Sequence, residues 1–389
     1  MGPMNKNSEA SFRSFSGTNG ETEHFIFIKA PEGAAFGDQL EAVEEGYAGA
    51  LAALGLAPGT AVFRRIFLSD ALNQAALVRP HDLYAATPGS PVSVSVVQQT
   101  PLPAAKIALL AYHVRGRAPL LKQRLSPNHI LVEKNGLRHL WSTSLCAGAG
   151  DGASSSKEQT LGTFGKLVET LAGQGGTLRD HCVRTWVYLK SVDVSYQGMA
   201  EARRELFARE GLAGDTHYIA GTCIEGACAH QFDLVSMDAY SILGLKPRQV
   251  SYLNAFDRLC PAKDYGITFE RGARIAYADR VHYFISGTAS IDNNGAIMHP
   301  GDVLLQLART FENIDSLLNS GKAALADMMY MIVYLRDPAD FPRVSGYIRE
   351  NFPGMPVAIV QGAVCRPGWL VEVEGVAAVN NDDPSLPSF

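Results

Sequence analysis

No run in this 389-residue sequence approaches the roughly 18 apolar residues of a membrane helix, so no membrane span is expected. Charge is sparse at 19% of residues, and there is no basic excess: the net charge is −5 and the pI is near 6.1. A phosphate backbone attracts a basic face, so nucleic acid is excluded as a partner by default. Six cysteines (146, 182, 223, 228, 260, 365) are too few for a disulfide framework in so long a chain; reduced thiols and a cytoplasmic setting are expected. No cysteine–histidine spacing matches a common zinc signature. Cys223-x₄-Cys228-x-His230, with His217 nearby, comes nearest, but Cys223 falls in a strand, and no metal is expected. Gly148-Ala149-Gly150-Asp151-Gly152 lacks the Lys-Ser/Thr that completes a phosphate loop. Residues 1–22 are polar, with no apolar signal core, and read as a frayed tail.

What is present, in a composition 47% hydrophobic, is one pattern repeated three times. In the C-terminal third, 281–285 (VHYFI) predicts a short strand, followed by Ser286-Gly287-Thr288-Ala289-Ser290 and a turn at Asp292-Asn293-Asn294-Gly295. Val303, Leu304, Leu307, Phe311, Ile314 and Leu318 then recur at helical spacing, predicting a helix over 301–318 with Asp302 in its first turn. Residues 328–335 (MMYMIVYL) are apolar throughout, as in a strand covered on both faces. A helix over 340–351 stops at Phe352-Pro353-Gly354, and strands over 357–364 and 370–376 close the unit.

The middle third predicts the same order: helix 155–171, strand 183–189 (VRTWVYL), helix 197–209, then strands 216–223 and 234–242. The N-terminal third repeats it with more wear: helix 39–54, strand 62–68 (VFRRIFL), a short helix near 72–78, then strands 92–97 and 107–114. Leu68, Leu189 and Leu335 end the matching strands, each about one small domain from the next. The closing words PVSVSVVQQ, THYIAGTCIEG and PVAIVQGAV recur at like lengths, which separates true repeats from chance strand–helix alternation. The expected copies are 23–116 (degenerate), 128–244 and 265–379. The basic run 115–124 serves as a linker and 380–389 as a tail.

The third copy resembles the RidA/YjgF family: an ISGT strand end, Gly301-Asp302 at a helix start, VYLRDPADF, and LVEVEGVA at the close. That family forms homotrimers with ligand clefts between subunits. The resemblance therefore implies an α+β fold of three tandem units arranged as an intrachain pseudo-trimeric barrel with helices outside. Fusion lets each cleft diverge, which a symmetric homotrimer forbids. A narrower resemblance, over about 184–379, is to the chorismatases, two-copy relatives that break chorismate into pyruvate and a cyclic acid. It rests on Arg184-Thr185-Trp186-x-Tyr188, Tyr265-Gly266, Phe269-x-Arg271, Phe284-Ile285-Ser286-Gly287-Thr288-Ala289 and His299-x-Gly301-Asp302-Val303. Its most specific word is Cys365-Arg366-Pro367-Gly368-Trp369-Leu370-Val371-Glu372-Val373-Glu374. Before about residue 170 no close match is visible.

RidA-type imine deaminases clamp the substrate carboxylate with an arginine on the fourth strand. Here the three equivalent places hold Val92/Ser93, Thr216/His217 and Val357/Ala358, which disfavours a deaminase of the usual kind. The name endoribonuclease, given to some relatives, finds no general-base and cation cluster. Glu372 is the sharpest residue: it interrupts an apolar strand, its equivalents are Ala108 and Ser236, and it shares a face with Glu374. A half-buried acid can donate a proton near neutrality, which is what an enolpyruvyl ether needs; a carboxylate held only for packing is the other reading. Glu374 leans to the packing reading.

The resemblance implies that Cys365 and Gly287 mark the subtype giving 3-hydroxybenzoate, with Gly287 sparing bulk where a ring approaches. Taken alone, Cys365 is a small packing residue. A dicarboxylate needs cationic anchors, for which Arg271 and Arg184 are candidates, with Tyr265 a hydrogen-bonding wall; structural ion pairs are the alternative for both arginines. Arg366 is equally a ligand contact or a surface turn residue. The expected activity is that of a chorismatase-like lyase or hydrolase with no cofactor, acting on a small carboxylate metabolite. The alternatives are an imine/enamine deaminase with a rebuilt site, anchored by Arg366, or a non-catalytic small-molecule-binding protein. The assembly is expected to be a monomer or a higher oligomer of pseudo-trimers.

Overall fold

The computed structural model describes residues 8–84, 90–148, 154–260 and 268–389. The first copy runs β1 (Glu9–Ser16), β2 (Thr22–Lys29), α1 (Phe36–Leu54), β3 (Ala61–Leu68), α2 (Ala71–Val78), β4 (Ser93–Gln98) and β5 (Ile107–Arg115). The second opens with β6 (Leu121–Ser126), β7 (His129–Lys134) and β8 (Leu137–Cys146). It continues through α3 (Ser156–Gly173), α4 (Leu178–His181), β9 (Cys182–Leu189), α5 (Val192–Arg209), β10 (Ala220–Glu225) and β11 (Val235–Leu243). The third holds β12 (Val250–Tyr252), β13 (Gly272–Ala276), β14 (Arg280–Ala289), α6 (Val303–Ser320) and β15 (Met328–Leu335), then α7 (Phe341–Asn351), β16 (Val357–Gln361) and β17 (Val371–Asn380).

Each copy builds its own sheet, and the inner order is the same in all three: β2-β5-β3-β4, β8-β11-β9-β10 and β14-β17-β15-β16. The last pair of each is parallel and the other two pairs are antiparallel. Local chemistry sets the helices. Ser155 and Glu158 form a reciprocal capping box on α3, Asp302 accepts from the Leu304 and Leu305 amides at the start of α6, and Gly55 ends α1 at φ 61°. Alternation along β3 sends Ile66 and Leu68 under α1, and Phe63 and Phe67 toward the other two copies.

One apolar cluster joins the inward faces of all three sheets, with Phe25, Phe63, Trp141, Trp186, Phe284 and Tyr330 among its members. Each such side chain contributes about 1.5–3 kcal/mol by leaving water. Short bridges tie the copies at their fourth strands: Gln98 with Ala227, Ile224 with Val364, and Pro101 with Val360. A buried ionic knot adds to this: Arg65 of the first copy reaches Asp238 of the second (3.1 Å) and Glu374 of the third (3.7 Å). None of the helices among the described residues is long and apolar enough to cross a membrane.

Four expectations are corrected. Residues 9–16, expected as a frayed tail, form β1, a polar edge strand held by the Arg13 guanidinium, which donates to the Met328 and Ala326 carbonyls (2.7 and 2.6 Å). The expected linker at 115–124 runs into β6, an exposed polar strand that with β7 extends the second sheet beyond β8. The expected C-terminal tail is packed: Phe389 is buried and its amide donates to Asp279 (2.8 Å). The strand expected over 216–223 begins at Ala220, so Thr216 and His217 lie in its lead-in.

Candidate active site

β17 places Glu372 opposite Ala289 of β14 and Tyr334 of β15, with Glu374 one step further along the same face. The two carboxyls meet opposite surroundings. Glu374 accepts from Arg184 Nη2 (2.7 Å), Trp186 Nε1 (2.7 Å) and the Thr222 hydroxyl, all of the second copy. No hydrogen bond joins Glu372 to another described residue, although it is only 5% exposed. Burial first, and the charge of Glu374 second, push the Glu372 carboxyl up to about 8, against the pull of Arg184 and Arg271. At neutral pH it is therefore an acid with a proton to give.

That carboxyl faces a cavity of about 480 Å³ between the second and third copies. The second copy supplies Tyr196 and Arg203 from α5, and Gly221, Thr222 and Cys223 from β10. The third supplies Phe269, Arg271, Gly287, Cys365 and Trp369. Thr222 organises the floor: its hydroxyl donates to Glu374 and accepts from Arg184 (2.5 Å) and the Gly287 amide (2.9 Å). Gly287 sits at a register shift between β14 and β17. A Cβ there would lie 2.8 Å from Glu372 Cδ and collide with the carboxyl, so this glycine makes the room Glu372 occupies. Its expected role, sparing bulk for a ring, is thus first a role in seating the acid.

Arg271 and Arg203 are the guanidiniums on the cavity wall. Arg271 is buried, donates to the Cys260 carbonyl (3.2 Å) and lies 5.2 Å from the Phe269 ring centre. Arg203 stands on the buried face of α5 and donates to the Thr268 hydroxyl (3.0 Å). Arg184, expected as an anchor, does not line the cavity; it is committed to Glu374 and stacks over Trp186 at 4.9 Å. Arg366 also stays off the lining, over the Trp369 ring (4.9 Å), and donates to the Gly295 carbonyl (3.2 Å). Tyr265 lies outside the described residues. Cys365 is in the cavity, but burial and the neighbouring Glu372 push its thiol up to about 12, so it offers no thiolate nucleophile at neutrality.

Sequence reasoning missed Arg203, Tyr196 and Thr222, and gave no role to Phe269 and Trp369 although they stand in the words that carry the resemblance. Arg203 had a readable signal: an arginine on a helix face shared with Met199, Ala202 and Leu206. A second cavity, about 500 Å³ at the meeting of the three inward faces, is lined by aromatic and aliphatic side chains, with Glu23 and His282 at one end. Those two are held by each other (2.8 Å) and Glu23 by Arg280 (2.5 Å), so that cavity has packing but no poised acid.

Residues 273–379 match the sequence pattern of the family described as Endoribonuclease L-PSP. A stretch of 104 residues is 33% identical to the 3-aminoacrylate deaminase RutC of Acinetobacter baylyi, spanning 26% of this chain and 82% of that protein. Among solved structures, a chorismatase superposes with a TM-score of 0.60 at 16% identity, covering 95% of this chain and 98% of that one. The likeness of fold therefore extends through the first copy, where no close likeness of sequence was visible.

Proposed function

We propose that this chain, which belongs to the endoribonuclease L-PSP (RidA) family, is a chorismatase-like enzyme cleaving the enolpyruvyl ether of chorismate. What carries the reading is the buried Glu372 carboxyl, without a hydrogen-bond partner among the described residues and pushed up to about 8, lining a partly open cavity that Arg203 and Arg271 also line. In this reading the three sheets work as one pseudo-trimeric barrel with helices outside, and among the described residues the cleft between the second and third copies is the one furnished for chemistry.

Glu372 gives its proton to the terminal methylene of the enolpyruvyl group, leaving an oxocarbenium ion whose charge the new carboxylate offsets. If water adds to that carbon, the hemiketal collapses to pyruvate and a dihydroxy-diene acid, one water being consumed. If instead the ring loses the side chain and rearranges, pyruvate and a hydroxybenzoate form with no net water. Arg271 and Arg203 receive the two substrate carboxylates, and Phe269 and Trp369 flank the ring. The residues alone supply acid and electrostatics, so the step needs no cofactor.

The test is purified protein with chorismate, following substrate absorbance, enzymatic detection of pyruvate and chromatography of the acid, beside Glu372→Gln. Pyruvate with one of the two acids, lost in the variant, supports the reading and names the subtype. An intact, monodisperse protein that leaves chorismate untouched overturns it. The identity with RutC favours a second reading, deamination of an enamine. Against it, the places of the family's arginine hold Val92/Ser93, Thr216/His217 and Val357/Ala358, and none of these six residues lines the Glu372 cavity. Ammonia release from 3-aminoacrylate, with chorismate untouched, would establish that alternative.

A further inference from the structure

We infer a second, separate site: a divalent transition-metal site, zinc by its donor set, formed by Cys146, Cys228 and Asp233 in the second copy. Their ligand atoms all lie within 4.8 Å of one another, and Cys228 Sγ stands 3.7 Å from an Asp233 carboxylate oxygen. Bond lengths of about 2.3 Å to sulfur and about 2.0 Å to oxygen set neighbouring ligands of a tetrahedral zinc about 3.5 Å apart. Cys228 and Asp233 are buried and Cys146 is half-buried. Two sulfurs with one carboxylate suit zinc and its soft neighbours, and not magnesium or calcium. A water completes the tetrahedron.

The three positions are equivalent across the copies, which makes their chemistry informative. Cys146 pairs with Ser236 as Ala289 pairs with Glu372 and Lys29 with Ala108. Counted from the ends of the matching strands, Cys228 corresponds to Val364 and Pro101, and Asp233 to Trp369 and Ala105. The fold thus accepts Ala, Val and Trp, or Lys, Pro and Ala, at these places. Only the second copy fills all three with metal-binding side chains. Cations are at hand to offset the surplus negative charge: Lys166 Nζ donates to the Cys146 carbonyl (2.6 Å), and Lys190 Nζ to the Gln231 carbonyl (2.9 Å).

The cysteine spacing hid this cluster, since Cys146 is remote in sequence and Cys223, the nearer candidate, faces the Glu372 cavity. The metal would join the end of β8, the loop after β10 and the entry to β11. That loop carries Ala227, which bridges to Gln98 of the first copy. The site therefore clamps the seam between the first two copies, and does not serve the chemistry at Glu372.

The test uses the full chain, stripped with chelator under a non-thiol reductant and titrated with Co²⁺. One equivalent should raise a thiolate-to-cobalt charge-transfer band with tetrahedral d–d bands, and one equivalent of Zn²⁺ should abolish them. Cys146→Ser/Cys228→Ser should lose the band, Asp233→Asn should weaken Co²⁺ by at least the roughly 10–100-fold that loss of an outer-shell partner costs, and Cys365→Ser should bind like the parent. No band, or a band that survives the double serine variant or vanishes in Cys365→Ser, overturns the proposal. Should the double variant fail to fold, alkylation of the parent decides. Zn²⁺ should shield the peptides carrying Cys146 and Cys228, and equal labelling with and without Zn²⁺ would count against the site.

Discussion

Glu372 and Glu374 stand two positions apart on one face of one strand, yet the carboxyl of one is pushed toward its protonated form and the other is a structural bolt. The difference is partners. Around Glu374, donors from the second copy and Arg65 from the first satisfy the charge and tie three copies together. Around Glu372, desolvation is only partly offset by Arg184 and Arg271, and Gly287 clears the room for it. A buried carboxyl is made structural by supplying donors and made reactive by withholding them.

The comparison breaks most sharply at the acid. Glu372→Gln keeps the shape and removes the proton, so turnover should fall about 10²–10⁴-fold while the melting transition stays or rises. Next comes the bolt: Arg184→Met strips Glu374 of its principal cation and should cost about 3 kcal/mol in urea unfolding. Gly287→Ala pushes a methyl against the Glu372 carboxyl and should lower turnover about 10–100-fold, with a stability loss of about 1–3 kcal/mol.

Acidity comes next. Turnover should hold below about pH 8 and fall about tenfold per pH unit above it, as Glu372 loses its proton. The folded value lies above the ordinary 4.5, so the stability tied to the protonated form is complete below 4.5 and lost as pH rises to about 8. In Glu372→Gln that part of the pH dependence of unfolding should vanish. The smallest effect is at Cys365: a thiol held protonated is no nucleophile, so Cys365→Ser should change turnover less than about tenfold. A loss of several orders there would move the chemistry from acid to thiol.

Much of the fold was legible because apolar periodicity carries it. MMYMIVYL spans β15 from end to end, and the three strand-closing leucines are in register. The edges were not legible. β1 alternates between solvent and a half-buried face, and its anchor, Arg13, binds carbonyls in another copy, so nothing local marks it. Glu372 was legible as a charge in an apolar strand, and Arg271 from its motif. Arg184 was open between anchor and structural ion pair, and Glu374, from another sheet, decides for the ion pair; Arg203 was passed over because it looked like one more helix arginine. Inter-copy contacts decide both cases, and no local pattern reports them.

The hold of Arg13 on the Met328 carbonyl spans 315 positions in the chain. At a synthesis rate of about 5–20 residues per second, the first copy waits roughly 15–60 s before that partner leaves the ribosome. Throughout that interval Phe25, Phe63 and Tyr112 have no third sheet against them. The newborn chain is then at its stickiest, and this is the stage at which a chaperone would matter most.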